Sequence, residues 1–197
     1  MVIDTKIAAN LDGSESSNNN YKVSYKLGLT GQNGTQTDVK WYLLKSGSGQ
    51  EIESAKTAPD CTLNVDTQTS GTTKYWYKSP PDDSGTCSAK NYINSKLSDA
   101  KLVAWGTITA GASNGALTPK SEAATELDGV LTNNTPSGLE NEILYTKAGA
   151  DKYTEEYYYL VVEYPNQESP QNDDMNKTIS ISLDTITNIT STLEQSE

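Results

Sequence analysis

The chain has 197 residues, and its 15 basic residues, all Lys, face 26 acidic ones for a net charge of −11, with no His and no Phe. That field repels nucleic acid and anionic lipid, and without imidazole neither a His-based catalytic triad nor an ordinary zinc site can be built. The length suits one domain with a single sizeable core, whose aromatic mass must be Tyr and Trp, rings that fit half-buried strand faces.

In chain order, Val2, Ile3 and Ile7 predict an N-terminal strand, set apart from the rest of the chain by Ser14-Glu-Ser-Ser-Asn-Asn-Asn20. No stretch approaches the ~20 apolar residues of a membrane span, and Met1 reads as a start set where an export signal was removed. From Tyr21 to Leu29, apolar Tyr21, Val23, Tyr25, Leu27 and Leu29 alternate with Lys22, Ser24, Lys26 and Gly28, a period of two that predicts a strand with one buried face. The turn residues from Thr30 to Thr35 and the alternation of Val39, Trp41 and Leu43 predict that this strand pairs antiparallel with the next.

Thr62 to Asp66 and Thr72 to Lys78 flank a turn and predict a hairpin, with Leu63 and Val65 facing Tyr75 and Tyr77. Cys61 and Cys87, the only thiols, bracket it. In a chain this polar they read as one disulfide made outside the cytosol, closing a loop that contributes about 3 kcal/mol. Two free buried thiols are the alternative. Spacings of three to four between Ala89, Ile93, Leu97 and Ala100 predict a short helix over 88–100. A strand over Lys101 to Thr109 comes next, then a second helical stretch from Ser121 to Leu131 with Ala124 and Leu127 inward.

The last third predicts a weak strand near Ile143 to Thr146, a strong one at Glu156 to Tyr164 and a final one at Lys177 to Ile186. The run Leu160-Val161-Val162 predicts a central strand covered on both faces. The expected organisation is an N-terminal strand and linker over 1–20, one β domain over 21–186 and a polar tail over 187–197. The expected fold is all-β, an antiparallel β-sandwich or jelly roll with one or two short helices in crossover loops.

Several groups could carry chemistry. Adjacent acids such as Asp82 and Asp83, or Glu155 and Glu156, read as solvated loop or strand residues. Asp82 and Asp83, beside Ser84 and Gly85, are weak Ca2+ candidates without the spacing of a dedicated calcium loop, and no other metal or cofactor is implied. Tyr75-Trp76-Tyr77 and Tyr157-Tyr158-Tyr159 could stack on sugars, yet strand alternation turns one side of each triplet to the core, which leaves Trp76 as the candidate ligand contact. A Lys to Asn isopeptide would draw on Lys22, Lys26 or Lys40 with Asn172 or Asn176, but these Lys fall on the polar phase of their strands. Asn33, Asn133, Asn176 and Asn188 each head an N-x-S/T triplet, a pattern that chance supplies in so Asn- and Thr-rich a chain.

Tyr157-Tyr-Tyr-Leu-Val-Val-Glu-Tyr-Pro, a polar spacer, and Gln171-Asn-Asp-Asp-Met-Asn-Lys-Thr-Ile-Ser-Ile-Ser-Leu resemble the closing signature of TasA/camelysin-like secreted surface proteins of Firmicutes. The opening strands Tyr21 to Leu29 and Val39 to Leu44 resemble the start of the same class. The resemblance implies a jelly-roll sandwich, export through a dedicated signal peptidase and, in some members, fibres in which an N-terminal strand inserts into the next subunit; Val2 to Ala9 would be that donor strand. The internal cysteine pair and the Phe-free core depart from the pattern, and the absence of His removes the peptidase activity sometimes attached to it. The expectation is a non-enzymatic extracellular or cell-surface structural protein whose partner is itself, as a homo-oligomer or fibre. The alternative is an adhesin-type module for carbohydrate or a host protein.

Overall fold

The computed structural model describes residues 2–10, 20–47, 52, 62–66, 74–77, 97–127, 134–146, 153–165 and 172–188. Their strands are β1 (Val2–Asn10), β2 (Asn20–Asn33), β3 (Val39–Lys45), β4 (Thr62–Asp66), β5 (Lys74–Tyr77), β6 (Lys101–Ile108), β7 (Gly115–Ala116), β8 (Glu140–Thr146), β9 (Tyr153–Glu163) and β10 (Ile179–Asn188). β4, β5, β1, β9, β3 and β6 run side by side in that order in a six-stranded sheet; β2 is the hub of a four-stranded one, with β10 on one side and β7 and β8 on the other. Every pairing is antiparallel.

The alternation in β2 does what its period dictates: Tyr25, Leu27 and Leu29 are buried and Lys26 is exposed. Strands β3 and β9 are apolar on both phases, so the large sheet must be covered on both faces. Trp41, Leu43, Tyr158, Leu160 and Val162 pack with Tyr25, Leu27 and Leu29, and with the half-buried Ile179, Ile181 and Leu183 of the small sheet. On the opposite face Tyr42, Leu44, Tyr159 and Val161 join Leu102 and Trp105 beneath Leu97, Ala100, Ala124 and Leu127. Each such side chain contributes about 1.5–3 kcal/mol of transfer free energy, so the middle strands of the large sheet anchor the fold. Trp105 lies parallel to Tyr42 at a centroid separation of 6.2 Å and carries Lys120 4.5 Å above its ring. Opposite Trp41 stands Gly106, the residue that leaves room for the indole.

The expected pairing of β2 with β3 is corrected: the two lie in different sheets. β3, apolar on both phases, pairs instead with β6 and β9 in the large sheet, where both of its faces are covered. The turn between them makes the crossing. Asn33, fully buried, donates from Nδ2 to the carbonyls of Thr37 (2.8 Å) and Ile108 (3.1 Å) and accepts from the N–H (3.0 Å) and hydroxyl (2.7 Å) of Thr35. Asp174 clasps the same turn from outside, accepting from the Gln36 N–H, the Thr37 hydroxyl and the Tyr164 hydroxyl.

The helices are corrected too. Among the described residues, helix is limited to 3-10 turns at Thr125–Leu127 and Asn172–Asp174. Ala124 and Leu127 do point inward, but Ala124 exchanges bonds with Asn134 through its own N–H and carbonyl (both 3.1 Å), drawing the chain across instead of along a helix. Of the stretch expected to be helical over 88–100, residues 88–96 lie outside the described residues, and Leu97 to Ala100 is a turn closed at 2.9 Å. The hairpin β4–β5 forms with Val65 opposite Tyr75, while a register shift places Thr62 opposite Tyr77.

Candidate functional site

The N-terminal strand occupies an interior position. β1 pairs with β9 without interruption from Val2 opposite Val161 to Asn10 opposite Tyr153, and on its other side Val2 and Ile3 meet Tyr75 and Lys74 of β5. Of the residues singled out from the sequence, Val2 and Ile3 therefore stand between two strands of their own chain, while Ile7 pairs with Glu156 of β9 beyond the short contact with β5. Lifting β1 out would leave one edge of β9 unpaired from Tyr153 to Val161.

Next to this seat lies a polar cluster that ties the sheets together. Glu156, opposite Ile7 across β1, accepts at one carboxylate oxygen from Lys45 and at the other from the hydroxyls of Tyr25 and Tyr158, the last at 3.2 Å. The two phenols also touch each other, and the Lys45 ammonium sits 5.9 Å from the Tyr158 ring centroid. Burial pushes both phenols well above their ordinary ionisation range, and the neighbouring carboxylate raises them further. Glu156 and Lys45 keep 14% and 22% of their side-chain surface exposed, so the pair lies at the margin of the core. Both carboxylate oxygens are engaged internally, so the arrangement works as a clamp between sheets.

The sequence reading missed this cluster, although a signal was present. Glu156 has the parity of Tyr158, Leu160 and Val162, and Lys45 that of Trp41 and Leu43, so two opposite charges fall on the buried phase of neighbouring strands.

Of the other candidates, Cys61, Cys87, Asp82 and Asp83 lie outside the described residues, as does the linker 11–19. Trp76 stands in β5 opposite Asn64, and its side chain is likewise outside the described part of the molecule. Asn33 is buried, so its N-x-S/T triplet is closed to modification in the folded chain. Asn172 and Asn176 are exposed at a turn, Lys26 is exposed, Lys40 is half-buried in β3 opposite Glu163, and the side chain of Lys22 lies outside the described part of the molecule. Among the described residues no group of three or more His, Cys, Asp or Glu is placed to hold a metal ion, and no helix is long and apolar enough to cross a membrane. No family model, no curated protein and no solved structure matches the chain.

Proposed function

We propose that the chain is an extracellular structural subunit, an antiparallel β-sandwich of jelly-roll type, that assembles by strand addition, one copy supplying β1 to the next. The observation that carries this reading is the place of β1: an N-terminal strand seated between β9 and β5 of the large sheet, while the next strand in the chain, β2, belongs to the small sheet. The nine residues 11–19 between them can span about 30 Å, against roughly 10 Å between packed sheets. A reach of that order would let β1 of one copy enter the identical seat of a neighbouring copy while its own β2 stays in place. Main-chain pairing supplies the affinity and alternate side chains the register.

The resemblance of 157–165 and 171–183 to TasA/camelysin-like proteins points the same way. The test is electron microscopy of the purified full-length chain beside a variant lacking residues 2–10, with a synthetic peptide of that sequence added back. Filaments from the full chain, none from the variant, and peptide capture by the variant are expected. Filaments that persist unchanged in the deletion overturn the proposal.

A further inference from the structure

The two ends of the sheets are finished differently. The outer edge of β6 is capped: the carbonyls of Leu102, Val103 and Trp105 accept from the N–H groups of Ser137 (3.1 Å), Gly138 (2.9 Å) and Lys120 (2.9 Å). The outer edge of β10 has no such cover among the described residues. An uncovered edge strand is a template for another strand unless charges, Pro or a bulge blunt it. β10 runs unbroken for ten residues against β2, without Pro, and carries one charge, Asp184, in a chain of net charge −11.

The direction of its backbone groups is set by the register. Leu27, Leu29 and Asn33 of β2 spend their backbone groups on Leu139, Leu117 and Ala112, away from β10, whereas the Gly34 N–H reaches the Thr178 carbonyl at 2.9 Å. Thr185, Leu183 and Ile179, opposite those three residues, therefore aim their N–H and C=O groups outward, and with them Ile181 and Thr187.

We propose that the β10 edge is a self-association surface, on which a second copy of this chain docks its own β10 antiparallel about a twofold axis. In the register centred on Leu183, each outward-facing residue meets an outward-facing residue: Leu183 faces its own copy, Ile181 faces Thr185 and Ile179 faces Thr187. All the outward donors and acceptors are then paired. Leu183 of each copy meets the other on the core side, the side that Ile179 and Ile181 also line. On the solvent face the exposed Ser182 comes opposite Asp184 of the second copy, so the two Asp184 carboxylates are not opposite each other. The self-complementarity of this register is what selects a second copy over an unrelated strand. The surface is independent of the β1 seat, which lies in the other sheet.

One strand pair buries little area, so association on the order of 0.1 mM is expected, tightening as salt screens the net negative charge. The test is residue-resolved amide exchange of the full chain from micromolar to millimolar protein, with sedimentation of charge variants. The amides of Ile181, Leu183 and Thr185 should exchange fast when dilute and become protected on concentration, while those of Ser180, Ser182 and Asp184, bonded to β2, stay protected throughout. Ser182→Lys should tighten the dimer roughly threefold to tenfold by facing Asp184, and Ser182→Asp should loosen it by a similar factor. Thr185→Pro, which removes an outward donor, should abolish it. Odd-numbered amides that remain fast at every concentration overturn the proposal even where filaments form through β1, and a response of the same sign to both Ser182 variants overturns the register.

Discussion

Replacing Asn33 tests how the chain is passed from one sheet to the other. In Asn33→Ala the Thr37 carbonyl keeps the Thr35 hydroxyl at 2.9 Å, but the Ile108 carbonyl and the Thr35 N–H lose their partners in a site closed to water. Each orphaned buried group costs about 1–3 kcal/mol, so a loss of about 3 kcal/mol is expected, a large part of a small domain's total. Asn33→Asp keeps the shape and the acceptor for Thr35 but turns a charged oxygen toward the carbonyls of Thr37 and Ile108. It should therefore cost more than the Ala variant, about 4 kcal/mol, and grow milder as acid neutralises it. Urea denaturation near neutral pH gives both values from the midpoints, provided the slopes match. An Asp variant milder than the Ala variant, or both within about 1 kcal/mol of the parent, would refute the reasoning.

Gly106→Ala would bring its Cβ to 2.9 Å from Cζ2 and 3.1 Å from Nε1 of the fully buried Trp41. The overpacking costs about 1–3 kcal/mol, and less chain entropy lost on folding returns at most about 1, so a destabilisation of about 1–2 kcal/mol with altered Trp emission is expected; a neutral variant with unchanged emission counts against it. The raised phenols predict an alkaline limb. Tyr25 and Tyr158 hold their protons in the fold beyond the point where an unfolded chain releases them, near pH 10, so their contribution is intact below pH 10 and is lost as pH rises above it. Urea midpoints at pH 9, 10 and 11 should fall more steeply in the parent than in the Tyr25→Phe/Tyr158→Phe double variant, and equal slopes would contradict the assignment.

Parity carried most of what could be read from the sequence. The buried phase of β2, the double cover of β9 and the inward Ala124 and Leu127 all come from where apolar side chains recur. Pairing was another matter. An Asn-Gly turn between two alternating segments is the strongest local cue for a hairpin, and here it misled: the Asn33 side chain closes the turn on itself, and burial demanded that β3 sit among strands far away in sequence. The two-residue strand β7 carries no pattern and exists because Leu117 and Leu29 bond at 2.8 Å. The Glu156 cluster was hidden because two adjacent acids look like surface, although only Glu155 has the other parity.

The seating of β1 also fixes an order of events. β1 is synthesised long before its partner, Tyr153 to Val161, so that partner does not exist while it waits. Pairings so distant in sequence close slowly. Once β9 is made, its edge opposite β1 is open until β1 closes on it, and under the proposed strand exchange the local concentration of newly made chains would decide between a closed monomer and a linked pair.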